Sequence, residues 1–226
     1  GVMLREDGIV MDDGTTTRIE DNHYHMTTTT AQAANVLSHL EYYLQVVWPE
    51  LNVNVASTTE QWAGAALAGP KSRDVLSKLF PDLNVSNQEL PFMGYVEGNL
   101  FGVHARVFRI SFSGELAYEI NVNSDSGLFM WEKIIEVGKE FNLQPYGTEA
   151  LSTLRIEMGH VAGPEIDGRT IPYDLALEGL VSKKKDFIGK RSLQKEAFNI
   201  KDRQNIVGLV PIDKKTSIPE GSHLVK

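Results

Sequence analysis

The sequence has no cysteine in 226 residues. Disulfides, a catalytic thiolate and Cys-ligated zinc are therefore excluded. A chain without thiols suits a reducing compartment, and a cytoplasmic protein is expected. No apolar run approaches the roughly 20 residues of a membrane-spanning helix, so no membrane partner is expected. Nor does the sequence open on a charged and then apolar leader segment. Positive charge is scarce as well: 22 Lys and Arg stand against 30 Asp and Glu, a net charge of -8. A non-specific nucleic-acid binder needs a basic field to neutralise phosphates, so that class is excluded from the expectation. A local basic pocket for a small anion remains compatible with the overall sign. Internal repeats and low-complexity tracts are also lacking.

What is there is ordinary for a globular protein: 42% hydrophobic and 23% charged residues, enough for one large domain or two smaller ones. The first residues, GVMLREDG, carry no initiator Met and are already strand-like, and the last are GSHLVK. The expectation is a piece of a larger chain, truncated at both ends. Val2 to Leu4 and Ile9 to Met11 read as a hairpin turning at Asp7-Gly8. Residues 15 to 19 and 23 to 29 continue as strands. A helix from Thr30 to about Trp48 places Ala33, Val36, Leu37, Leu40, Leu44 and Val47 on one face, and Pro49 stops it. LNVNVAS then alternates as a half-buried strand.

Further along, WAGAALAG reads as a strand and Ser72 to Phe80 as a helix with Val75, Leu76 and Leu79 inward. Strands are expected at 92 to 96 and 100 to 111, and LAYEINV forms another. Helices follow over 126 to 142, with Leu128, Trp131, Ile134, Ile135 and Phe141 inward, and from a Thr148 cap to Met158. Residues 159 to 172 are irregular. A helix is expected to open near Arg191 and a strand near Ile206 to Val210. Hairpins outnumber regular βαβ alternation, which predicts an α+β fold of antiparallel sheets with flanking helices.

Three stretches could carry chemistry. In IVMDDGTTT, strand alternation sends Asp12 and Asp13 to opposite faces, so at most one faces a given pocket. Asp before Gly is also ordinary turn chemistry. In HYHMTTTT, His23 and His25 share a face, but spacing places no third ligand, so no metal site is expected. In GELAYEINV, Tyr118, Ile120 and Val122 share the core face, while Glu119 stands on the other beside the small Ala117, either solvated or in a polar cleft. Gly189-Lys190 suggests a phosphate loop, but the Walker pattern wants a glycine where Lys184 stands. KKKDFIGKRS is read as a basic loop running into a helix.

Six segments occur in order: MLREDGIVMDDG, HMTTTT, AGPKSRDVL, RISFSGELAYEINV, PYGTEALSTLRIEMG and DFIGKRSL. Together they resemble the folate-binding aminomethyltransferase family, that of the glycine-cleavage T-protein. PFMGYVEG, the GTEAL segment and VSKKKDFIGKRSL are most similar to the branch found in the alpha subunit of heterotetrameric sarcosine oxidase. The resemblance covers nearly the whole chain. It implies two antiparallel α+β units around a central channel, followed by a β-rich C-terminal domain. Residues 1 to 58 would be part of the middle unit. Residues 59 to 185 would be the folate-binding unit, and 186 to 226 a linker helix and the start of the last domain.

The resemblance also implies a chemistry. A flavin on another subunit oxidises an N-methyl amine to an imine, and tetrahydrofolate on this domain captures the one-carbon unit as methylenetetrahydrofolate. Flavin and NAD are expected on other domains or subunits, and other sarcosine oxidase subunits are the expected partners. The chain would belong to an oxidoreductase acting on CH–NH groups, itself inactive in amine oxidation. The family's catalytic acid carries over to Asp13. Its pterin-binding glutamate carries over to Glu119, its stacking aromatic to Phe112, and its ligand-contacting strand to Thr27 and Thr28. The T-protein's folate-tail arginine aligns with Leu151, and Arg155 is the nearest basic residue. Phe112 stands where the family has tyrosine. A self-standing aminomethyltransferase or folate-dependent demethylase is the alternative, and a non-catalytic folate-binding scaffold a third.

Overall fold

The computed structural model describes residues 1–200, 202–219 and 221–223. The chain opens with the expected hairpin, β1 (Val2–Leu4) against β2 (Val10–Asp13). Its turn closes because Asp7 accepts the Ile9 N–H at 3.1 Å and Gly8 takes a left-handed backbone at φ +88°. A second hairpin pairs β3 (Thr16–Glu20) with β4 (His23–Met26). Helix α1 (Ala33–Tyr42) follows and widens into a π-type turn over Tyr43–Val47 before Pro49. Of its expected apolar face only Val36 is buried, joined by Tyr43, whose hydroxyl donates to Glu6 at 2.8 Å.

Strands β5 (Trp62–Ala68), β6 (Tyr95–Leu100), β7 (Val103–Phe108) and β8 (Ala117–Asn123) form one antiparallel sheet in the order β5-β8-β7-β6. Helix α2 (Ser72–Leu79) and helix α3 (Gly127–Gly138) cover one face of it. Leu67, Val107, Tyr118, Ile120 and Val122 meet Val75, Leu76, Leu79, Met130 and Ile134 there. Each such side chain, fully buried, stabilises the unit by about 1.5–3 kcal/mol before entropy is counted. Helix α4 (Thr148–Met158) comes next. A second core joins Leu4, Ile9 and Val10 of the first hairpin to Val161, Ile171, Leu175 and Leu193. Gly189, at φ +90°, lies in that core's wall, where an added Cβ would meet the Arg5 carbonyl oxygen at 2.6 Å. The Gly-Lys step is thus a packing device against the hairpin turn. Among the described residues no helix is long and apolar enough to cross a membrane.

Several expectations are corrected. Residues 51–57 and 206–210 form no strand and are mostly exposed, because alternation needs a ladder partner and none is present among the described residues. The strand expected over 100–111 is broken by a two-residue hairpin turn. Phe101 and Gly102 both have positive φ there, which matches the twist of paired strands. Helix α3 is rotated relative to expectation: Met130 and Ile134 are buried, while Leu128 and Trp131 are exposed. Gly147, not Thr148, occupies the N-cap of α4. The helix expected near Arg191 is a single 3₁₀ turn, Ser192–Gln194.

Candidate functional site

Strand alternation divides the two adjacent acids. Asp12 is 1% exposed, and its Oδ2 accepts the Thr29 N–H at 3.0 Å. Asp13, on the opposite face, is half-buried, and its carboxyl receives no hydrogen bond from another described residue. Burial pushes the Asp13 carboxyl above its ordinary value, and the charge of Asp12 adds to this. The positive N-terminus and His160 pull it back. Gly14 lets the chain turn directly over Thr27, since a Cβ there would lie 1.9 Å from the Thr27 carbonyl oxygen. Thr15 and Thr27 then bond to each other through their hydroxyls at 2.8 Å and through Thr27 N–H to Thr15 O at 2.8 Å. The Thr28 hydroxyl donates to Thr29 O at 3.1 Å. The threonines therefore build the wall beside Asp13 by bonding among themselves.

Glu119 lies on the sheet face away from the helices. Its cross-strand neighbours are Ala66 on β5 and Phe108 on β7, and Ala117 and Asn121 flank it along β8. With Gly64 and Ala68 also on that face, the floor around it is made of small residues. The carboxyl receives no hydrogen bond and forms no ion pair among the described residues, and burial raises it above its ordinary value. Phe108 supplies an aromatic wall. The His25 ring stacks on it at 5.9 Å and meets Trp62 edge-on at 6.3 Å, docking the second hairpin onto this face. Arg106 lies over Trp62 at 4.3 Å. Burial lowers His25 below its usual value, with the Arg106 and His23 charges adding to it. His25 is thus a packing residue of the site's wall.

Phe112, in the loop between β7 and β8, is 42% exposed. Arg155 is 9% exposed, and its Nη1 donates to Glu165 at 2.7 Å and to His160 O at 3.2 Å. Both contacts are internal to the chain. His160 itself escaped the sequence reading. Its Nδ1 donates to the Phe112 carbonyl oxygen at 2.8 Å across 48 positions. Only its place, just after the left-handed Gly159 that ends α4, marked it as a residue under geometric constraint. His160 is thus joined to Phe112, while Glu119 lies beside Phe108, on which the His25 ring stacks.

Two cavities lie nearby. One of about 570 Å³ runs along β5 between Ser72, Trp131 and Leu151, and neither Asp13 nor Glu119 lines it. A smaller one of about 290 Å³ is bounded by Thr15, Thr17, Tyr95 and Phe108, against the threonine wall. Among the described residues, the unpartnered carboxyls of Asp13 and Glu119 therefore lie outside the larger cavity.

Sarcosine oxidase subunit alpha of Rhizobium meliloti is 50% identical over the whole chain, and that of Corynebacterium sp. (strain P-1) is 48% identical. The chain spans 23% and 24% of those proteins, about a quarter of their length. An aminomethyltransferase of Chloroherpeton thalassium is 30% identical over the whole chain, which covers 60% of it. Among solved structures, the glycine cleavage system aminomethyltransferase T of Bartonella henselae superposes with a TM-score of 0.68 at 23% identity. That match covers 84% of this chain and 50% of the other, a shared fold. The description "GCVT N-terminal domain" matches residues 1–185, and the chain belongs to that family.

Proposed function

We propose that this chain is a tetrahydrofolate-binding, one-carbon-transfer unit of a sarcosine oxidase alpha subunit, working with a flavin and NAD held by other domains or subunits. The observation that carries the reading is the pair of half-buried, unpartnered carboxyls, Glu119 over a floor of small residues and Asp13 beside the threonine wall. The residues fit a reduced folate. A flat pterin needs a floor without side chains, an acceptor for two parallel N–H groups and an aromatic neighbour, and Glu119, Ala66, Ala117 and Phe108 supply them. When bound, tetrahydrofolate supplies the nucleophilic nitrogen that takes up the one-carbon unit of the oxidised amine.

The chain's own residues bind, orient and move protons. Glu119 fixes the ring by accepting its paired N–H groups. A carboxylate already desolvated strengthens such charge-assisted bonds, because the bonds replace water it has lost. Asp13 exchanges a proton with a folate nitrogen, and burial brings its carboxyl closer to working pH than an exposed aspartate would be. Thr27 and Thr28 wall the channel. Phe112 is the second aromatic surface. Arg155 holds the loop behind it.

The test is titration of tetrahydrofolate into the full-length parent chain with its partner subunits. Wild type should bind, Glu119→Gln should weaken binding about ten-fold or more, and Asp13→Asn should bind but form methylenetetrahydrofolate slowly. Absent binding, or binding unchanged in both variants, sinks the reading. Activity with a lipoyl carrier protein in place of an amine-oxidising partner would favour the self-standing aminomethyltransferase.

A further inference from the structure

His160 ties the end of α4 to the loop between β7 and β8. Its N–H donates to Arg155 O at 2.9 Å, which fastens it to the end of α4. Its carbonyl accepts from the Arg155 guanidinium, which Glu165 holds at 2.7 Å, and Glu165 also accepts the Ala162 N–H at 2.7 Å. The residue is therefore fixed at both its backbone ends. From this anchored position its ring reaches the loop between β7 and β8 in two ways. Nδ1 bonds the Phe112 carbonyl, and since a carbonyl only accepts, Nδ1 carries the hydrogen. The imidazole also lies nearly parallel to the Phe112 ring, 18° between planes with centroids 5.7 Å apart.

The two ends of the loop are tied down, Arg109 by Gly94 and Leu90, and Leu116 by Gly69 and Ser72. The hydroxyls of Ser111 and Ser113, on either side of Phe112, are buried and find no partner among the described residues. Met158, at the end of α4, packs on Gly114, where a Cβ would meet its Cγ at 1.9 Å. The end of α4 and the residue that follows Gly159 thus set the loop's position. At that separation the two rings are offset, and Phe112 stays 42% exposed.

We propose that His160 is a positioning residue that holds the Phe112 ring as a stacking platform for a flat heteroaromatic ligand, the pterin of a reduced folate. The proposal rests on the folate reading above. The hydrogen bond sets where the loop's backbone lies, and the stacked imidazole orients the Phe112 ring.

The experiment is tetrahydrofolate titration with the full-length parent chain and its partner subunits, comparing wild type, His160→Ala, His160→Asn, Phe112→Leu and the double variant His160→Ala/Phe112→Leu. His160→Ala should raise Kd about ten-fold, the size expected for losing one hydrogen bond and one stacked contact. His160→Asn keeps a donor for the carbonyl and should recover part of that loss. The double variant should bind no more weakly than Phe112→Leu alone, since the two residues act as one unit. Amide exchange at residues 111–114 should quicken in His160→Ala and return toward wild type in His160→Asn. Additive losses in the double variant, or wild-type affinity in His160→Ala, overturn the proposal. If His160→Ala does not fold, His160→Asn decides: a Kd equal to wild type overturns it, and an intermediate one supports it. Wild-type protein that binds no tetrahydrofolate overturns the functional reading and this platform with it. Binding that responds to Glu119→Gln but not to His160→Ala overturns the platform alone.

Discussion

Replacing Asp12 and Asp13 one at a time should give opposite results, although they are neighbours. Asp12 is buried, and its carboxylate is the acceptor for the Thr29 N–H at 3.0 Å. Asp12→Ala leaves that donor stranded beside a void, which costs about 2 kcal/mol. At about 1.4 kcal/mol per factor of ten, the Thr29 amide should exchange about 30-fold faster. The unit's melting temperature should fall by about 4–8 °C, taking 2–4 °C per kcal/mol for a domain of this size. Asp13 has the opposite balance. Its folded carboxyl titrates above its ordinary value because burial and then Asp12 disfavour the charge. An acid raised on folding makes the native state lose stability as pH rises from the ordinary value through the folded one. Above the folded value that loss is complete, so there Asp13→Asn should leave the melting temperature unchanged or raise it, while slowing one-carbon transfer. Amide exchange and thermal unfolding read both effects. Equal destabilisation by the two substitutions would refute the division of roles between the faces of β2.

Glu119 gives a pH test. Burial raises its carboxyl, so tetrahydrofolate affinity should be full above the folded value and fall as pH drops through it, whereas Glu119→Gln should bind weakly at every pH. Isothermal titration from pH 4 to 8 checks this, and a flat wild-type profile would count against an ionised Glu119 as the acceptor. Gly14→Ala should destabilise the first hairpin by about 1–3 kcal/mol, because its Cβ would press into the Thr27 carbonyl at 1.9 Å and the backbone must move. Urea unfolding of the parent chain measures it, and a neutral result would mean the Gly14–Thr27 approach relaxes freely.

The parts of this architecture that were legible in the sequence are those fixed by short-range geometry. Alternation alone separated Asp12 from Asp13, and it placed Tyr118, Ile120 and Val122 on the core face of β8. The same rule failed at Leu51, Val53 and Val55, because a pattern states what a strand would bury and not whether a neighbouring strand exists. It also failed at Phe101-Gly102, where a two-residue turn leaves the alternation running on across it. The assignment of chemistry to Asp13 and Glu119 came from family resemblance; from spacing alone each had an equally good structural reading. His160 was invisible for a different reason. Its partner is a backbone carbonyl 48 residues away, and a backbone acceptor carries no side-chain signature. The pairing of Arg155 with Glu165 was likewise not legible, because the acid stands ten residues on, beyond the end of the helix.

Strand β5 is the outermost strand of its sheet, and its residues Trp62–Ala68 include neither a charge nor a proline. The outward row of N–H and C=O groups therefore lacks the usual deterrents to pairing with another chain. Its Ala and Gly side chains are too short to screen that row sterically. When this stretch of protein is produced without whatever borders β5, the edge is a template for strand-to-strand aggregation. Introducing a single outward lysine at Ala66 would blunt it, but Ala66 also floors the Glu119 cleft, so solubility and binding draw on the same few atoms.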